Sequence, residues 1–334
     1  MAVHSQHIQL VADHERADTL LRGKLRSETP CYISRIGGSD FDAVVEYFKN
    51  LESFDEAEAG LSVSEKWNTV KKYNGFYDRA EDPKNLHKFC NLFIDSFKNC
   101  DHTFMCGAYL LSEFLPGSIN PVFRVDTSES SLWINRFLHT ISRKFYPSRY
   151  YPYSYVESMV RGNHTLFRAF SDILPGKRVL AVTPFRDSIL DNFSNRFQFF
   201  RDYKYPDFDL EAYNTPITYE GLPSSYYPDD NWFDTLDRMK REVSEIEFDV
   251  ALLSCGSYAL PLGLHIRDTL KRKAIYVGGC LQIYFGIMGR RYMNPWFMDQ
   301  INVEKFIEPL EKDRYIQHFS ITDDTAREAF GAYF

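Results

Sequence analysis

Asp249-Val250-Ala251-Leu252-Leu253-Ser254-Cys255-Gly256-Ser257 and Ala274-Ile275-Tyr276-Val277-Gly278-Gly279 are two apolar runs, each opening onto a glycine turn. Between them Leu260, Leu264, Ile266 and Leu270 keep helical spacing, and Lys271-Arg272-Lys273 marks the basic end of that segment. Strand, helix, strand with a turn after each strand is the βαβ pattern of an α/β sheet. Ligands of such sheets bind outside the carboxyl ends of the strands, where both turns fall. Arg290 and Arg291, just downstream of Gln282-Ile283-Tyr284-Phe285-Gly286, point to a ligand with negative charge.

Working outward, the same alternation extends back to Pro175-Gly176. Arg178–Thr183 reads as a buried strand, Leu210–Ile217 as another, and Trp232–Ile246 as a helix with Phe233, Leu236, Met239, Val243 and Ile246 on its apolar face. Ile189, Phe193, Phe197 and Phe200 are expected to stripe one helical face, and Trp296, Phe306 and Leu310 to pack back on the domain or border its site. The amino-terminal half is richer in helix. Residues 1–30 carry a weak helical pattern, and Cys31–Ile36 reads as a strand turning at Gly37-Gly38. Ser39 with Asp42 forms a capping box for the next helix, and Pro83 precedes a helix with Leu86, Phe89, Cys90, Phe93, Ile94 and Phe97 in register. Thr103–Leu115 is expected to be a short strand running into a helix, Ser128–Phe145 a helix, and Tyr146–Tyr155 an irregular loop. The expected organisation is one domain over 1–334, with a helix-rich half at 1–175 that holds the first strand and a regularly alternating α/β half at 176–334.

A chain of 334 residues that is 44% apolar and 25% charged has the composition of a globular domain with a sizeable core. Its formal net charge of −7 argues against broad nucleic-acid binding, which needs a basic footprint. No apolar run reaches the length of a membrane span, and the amino terminus is too polar for a signal peptide. The six cysteines form neither a CxxC pair nor a zinc-like spacing, so a reducing, cytoplasmic setting is expected.

Three groups of residues carry candidate chemistry. Backbone N–H groups at Gly278-Gly279 can form an anion-binding concavity, and Arg290 and Arg291 match phosphate oxygens bidentately. This is not the GxGxxG fingerprint of dinucleotide enzymes. Asp40-Phe41-Asp42 reads either as hard-oxygen ligands for Mg²⁺ or Mn²⁺ or as acidic residues favoured by a helix dipole. Glu157, just past the Tyr/Pro stretch, is a carboxylate that can act as a general base or stay solvated.

Four blocks together resemble the GT-D-fold glycosyltransferases and their capsule- and O-antigen-associated relatives. Ser34-Arg35-Ile36-Gly37-Gly38-Ser39-Asp40 is similar to their RxGxxE signature, and Val179–Phe185 to their VLVVSPF strand. Gly256-Ser257-Tyr258-Ala259-Leu260-Pro261-Leu262 resembles GAYGLPL, and Gly278–Arg291 resembles GGALQLLFGIKGKR. The chain departs from the metal-binding form RxGDGE, with Gly38 at the first acidic position and Asp40 at the second. It also lacks the lysine of GKR.

The resemblance implies a Rossmann-like, mostly parallel sheet flanked by helices, built around a sugar-nucleotide site. It puts Arg35, Gly37, Gly38, Thr183, Pro184, Phe185, Gly256, Tyr258, Gly278, Gly279, Gln282, Phe285, Arg290 and Arg291 on the donor side. Asp40 and Glu157 are its catalytic candidates, and Asp40 and Asp42 the candidates for Mn²⁺ or Mg²⁺. The expected reaction is transfer from a nucleoside-diphosphate sugar, UDP-linked, to a glycan acceptor of a surface polysaccharide or glycoconjugate, with peripheral membrane association as an option. A non-catalytic glycan-binding subunit and a nucleotide-dependent oxidoreductase are the alternative readings.

Overall fold

The computed structural model describes residues 14–35, 75–105, 149–152, 165–218, 227–290, 293 and 295–313. Seven strands form one sheet: β1 (Tyr32–Arg35), β2 (His102–Met105), β3 (Arg149–Pro152), β4 (Arg178–Thr183), β5 (Asp209–Asn214), β6 (Val250–Leu253) and β7 (Lys273–Tyr276). Their spatial order is β3-β2-β1-β7-β6-β4-β5, and every neighbouring pair is parallel. The expected α/β, Rossmann-like sheet is therefore present, with strands from both halves of the chain.

A parallel sheet must be covered on both faces, because its crossovers lay helices on each side. Strand alternation sorts the side chains accordingly. Ile33, Val179, Ala181, Val250, Leu252 and Ile275 enter one core, which is closed by residues of α3 (Thr165–Ile173), α4 (Arg186–Asn192) and α7 (Cys280–Tyr284). Tyr32, Leu180, Val182, Ala251, Leu253 and Ala274 enter the other, under α2 (Pro83–Asn99), α5 (Trp232–Ser244) and α6 (Ala259–Asp268). Helix α1 (His14–Arg26) lies alongside α3, tied by Arg26 to Asp172 at 3.1 Å.

Local signals explain where the helices begin. The Asp82 side chain accepts from Lys84 N ahead of Pro83, and Asn231 accepts from Phe233 N and Asp234 N at the start of α5. Such caps contribute about 1 kcal/mol each. The fit of α6 on β1 depends on Gly263, where a Cβ would stand 2.2 Å from the Tyr32 ring. Above it the Tyr32 hydroxyl donates to Ala259 O at 2.9 Å.

Several expectations change. The Tyr146–Tyr155 stretch contains strand β3 at the sheet edge, where Pro152 closes the strand and its missing N–H is tolerated. After α4 the chain tightens into a 3-10 turn over Phe193–Gln198, so the phenylalanines do not share one helical face. Phe199 and Phe200 are buried while Phe197 is 53% exposed. Helix α6 ends at Asp268, Lys271 turns the chain at φ 55°, and Lys273 opens β7, so the basic triplet follows the helix and leads into the strand. Of the tail residues expected to pack back, Phe306 enters the core and Leu310 is exposed, while the side chain of Trp296 lies outside the described residues. The helices expected after Ser39, within Thr103–Leu115 and over Ser128–Phe145 lie outside the described residues, apart from β2 itself. Among the described residues no helix is long and apolar enough to cross a membrane.

Candidate functional site

The carboxyl ends of β1, β7, β6 and β4 are neighbours in that order. Each leads into one of the four sequence blocks, so the described starts of those blocks line one rim. The strand after β1 is β2, on the far side from β7. Past β7 the chain turns the other way, with Phe285 against Phe193 and Gly286 against Phe199. A junction whose following strands lie on opposite sides is the usual position for a ligand in a doubly wound sheet.

Arg35, the last residue of β1, and Gly278, just past β7, meet at that junction. Gly278 has φ 67°, and a Cβ there would fall 1.6 Å from Arg35 Nη1 and 2.8 Å from Arg35 Cζ. The half-buried guanidinium occupies the volume a side chain would take. Its Cζ also stands 5.8 Å from the centroid of the Tyr276 ring, within the range of a cation–π attraction. Glycine is required twice over here, by the backbone and by the close approach. The Gly278 N–H donates to Leu253 O at 3.0 Å, a carbonyl that also accepts from Val277 N. Of the glycine pair only Gly279 can therefore direct its N–H to a ligand.

Beside this pair, Gly256 turns the chain after β6 with φ 56°, and a Cβ there would meet nothing within 4 Å. Ser254 and Gly256 are partly exposed, so the rim is open between β7 and β4. Pro184 is also partly exposed. Thr183 is fully buried, its Oγ1 accepting from Phe185 N at 3.2 Å to hold the turn.

Other expected donor contacts turn inward. Tyr258 is stacked on Trp232 with centroids 4.8 Å apart, and its hydroxyl meets Thr218 Oγ1 at 3.1 Å. Phe185 and Phe285 are core side chains, at 3% and 0% exposure. Gln282 is buried and donates from Nε2 to Met288 O at 2.8 Å, so its amide fastens the following loop. The apolar demand of the sheet face accounts for the three rings; their backbone, not their side chains, borders the rim.

Arg290 is exposed and lies within electrostatic range of Glu308. The hydrogen bond from Lys312 holds the Glu308 carboxyl below its ordinary range, and Arg290 adds a smaller pull. Gly37, Gly38, Asp40, Asp42, Glu157 and Arg291 lie outside the described residues. Among the described residues no group of three or more His, Cys, Asp or Glu side chains is placed to hold a metal ion. The thiols of Cys31, Cys90, Cys100, Cys255 and Cys280 are buried, and burial pushes Cys31 up to about 11.

Sequence reasoning passed over Glu311. Its carboxylate is buried and accepts from Asp187 N at 2.9 Å, from Ser188 N at 3.1 Å and from the Ser188 hydroxyl. A single acidic residue in a tail carries no pattern that would have marked it. Tyr276, under the Arg35 guanidinium, was likewise read only as part of an apolar strand.

Set against family models, curated proteins and solved structures, the chain matches none of them.

Proposed function

We propose that the chain is a glycosyltransferase that takes a nucleoside-diphosphate sugar, with UDP as the nucleotide, and passes the sugar to a glycan acceptor. One observation carries the reading: the arginine of the first sequence block is seated on the glycine turn of the last, where β1 and β7 lie side by side. A guanidinium fixed there can pair bidentately with a diphosphate. Gly279 N–H is the backbone donor beside it. As the glycosidic bond to the donor breaks, negative charge grows on the leaving diphosphate, and a pre-placed cation stabilises it without reorganising. The open turn at Gly256 leaves room along the rim for the rest of the donor.

Arg35 takes over the principal phosphate role expected of Arg290 and Arg291. Glu157 remains the proposed base toward the acceptor hydroxyl. A divalent cation falls in this reading to Asp40 and Asp42, where it would neutralise the same diphosphate. Titration calorimetry with UDP, GDP, CMP and NAD, each with and without Mn²⁺, tests the proposal. UDP should bind, and Arg35→Ala should weaken it roughly 10- to 100-fold, the value of a lost charge-assisted contact. Equal UDP affinity in the variant, or NAD binding in place of UDP, would overturn it.

A further inference from the structure

A buried carboxylate is costly unless donors surround it. Among the described residues the buried acidic side chains are Asp78 and Glu311. Asp78 has an evident local task, accepting from Ala80 N, Asp82 N and Asn85 Nδ2 at the entry to α2. Glu311 instead reaches across more than 120 positions of sequence to Asp187 and Ser188. Three donors meet it there, and Leu310 N donates in turn to Ser188 Oγ at 2.8 Å.

From that anchor a continuous set of hydrogen bonds leads to the glycine turn. Asn192, buried one turn further along α4, donates from Nδ2 to both Lys305 O and Gly286 O at 3.0 Å. Ile307 N donates to Gly286 O, and Met288 N donates back to Ile307 O at 2.8 Å. Met288 O receives Gln282 Nε2, Ile287 N donates to Gln282 O, and Gln282 N donates to Gly279 O. Ser188, Asn192, Gln282 and Glu311 are all buried polar side chains spent on this one junction. Apolar packing would hold the irregular segment 301–313 against the domain at less desolvation cost. Directional bonds fix its position, and with it the position of the segment from Gly279 to Arg290.

We infer that Glu311 is a positioning residue, and that segment 301–313 is a brace setting the geometry of the Gly278-Gly279 turn and the Arg290 loop. Its effect on donor binding rests on the nucleotide-sugar reading above; the brace itself does not. Glu311→Ala removes the acceptor from three donors. Glu311→Gln keeps a carbonyl oxygen for the two amides and an NH₂ for the Ser188 oxygen, so the conservative variant should rescue.

The test pairs hydrogen exchange on the full chain with calorimetry using UDP. In Glu311→Ala the amides of 279–290 and 303–312 should lose protection while those of β4, β6 and α5 keep theirs. UDP should bind about tenfold more weakly, the scale of a small displacement transmitted to a site from a distance. Glu311→Gln should restore both. Unchanged exchange over 279–290 in the alanine variant would overturn the inference, as would equal loss in both variants. Should Glu311→Ala fail to fold, Ser188→Ala carries the test, since it deletes only the hydroxyl: confined loss over 279–290 supports the brace, and none refutes it. Altered exchange with no UDP binding even by the unmodified chain would sink the nucleotide reading and leave the brace standing.

Discussion

Gly278→Ala perturbs the contact between the glycine turn after β7 and Arg35 at the end of β1. Two costs can be separated. The first is the backbone, since an alanine held at φ 67° costs about 1–2 kcal/mol. The second is the collision of its Cβ with Arg35 Nη1, 1.6 Å away. The guanidinium is the end of a flexible chain, so it moves instead of breaking the fold, and gives up its position by Tyr276 at a cost of about 0.5–1 kcal/mol. The single variant should therefore lose about 2 kcal/mol in urea unfolding. Arg35→Ala alone should lose about 0.5–1 kcal/mol. In the double variant the collision has no partner, and only the backbone strain adds to the loss of Arg35, giving about 2 kcal/mol in total. The two changes should thus be non-additive by about 0.5–1 kcal/mol, the quantity a double-mutant cycle isolates. Each single variant should also lose UDP affinity, with no further loss on combination. Strict additivity in stability, or a Gly278→Ala variant that binds UDP normally, would refute the contact as the organising feature of the site.

Two further outcomes are expected. Asp101 accepts from Tyr32 N at 2.9 Å and from Arg267 Nη1 at 3.1 Å, with Lys24 at 3.3 Å. Burial alone would raise its carboxyl, but the Tyr32 amide, Arg267 and Lys24 outweigh it and hold the group below its ordinary value. A lowered carboxyl stabilises the fold above the unfolded value of about 4, and that contribution disappears as pH falls through the folded value. Urea midpoints measured from pH 6 downward should fall less steeply below about pH 4 in Asp101→Asn than in the unmodified chain; parallel curves would remove the assignment. In the core under α3, the hydroxyls of Tyr205 and Tyr284 are buried beside Tyr203 and, among the described residues, make no hydrogen bond of sound geometry, although the Tyr205 and Tyr284 rings stack 4.6 Å apart. Tyr284→Phe should accordingly be neutral or stabilise by up to about 1 kcal/mol in urea unfolding, and a loss of 2 kcal/mol or more would show that the hydroxyl is satisfied.

The sheet was legible where strands are short apolar runs ending in glycine or proline, as at Arg178–Thr183 and Val250–Leu253. A central parallel strand is buried on both faces and shows little else. Arg149–Pro152 was missed because tyrosine, proline and arginine at an edge look like loop; its pairing with β2 is a tertiary choice that no local pattern encodes. Phe197 was misplaced because a change from 3.6 to 3 residues per turn moves a stripe off its face within one turn. In the site, the glycine turn and Arg35 were each visible, but not that one supplies the cavity for the other. That relation depends on the strand order, which puts the first strand beside the last. Tyr258, Phe185 and Phe285 were given ligand contacts because they stand in distinctive sequence blocks, yet the apolar faces of the sheet claim their rings. Glu311 had no sequence signal at all, since its meaning comes from donors on a helix far back along the chain.

The pairing of β1 with β7 also sets an order of events for the growing polypeptide. Ile33 lies beside Ile275, about 240 residues later. The edge of β1 that faces β7 has no partner until that later strand has been made. Strands β4 to β7 can assemble among themselves in the meantime, because their contacts fall within a single stretch of about 100 residues. Docking of β1 onto β7 is then the step that brings Arg35 to Gly278. The approach of Arg35 to Gly278 depends on this long-range pairing, and a chain interrupted before residue 273 lacks β7 and with it the turn that receives the guanidinium.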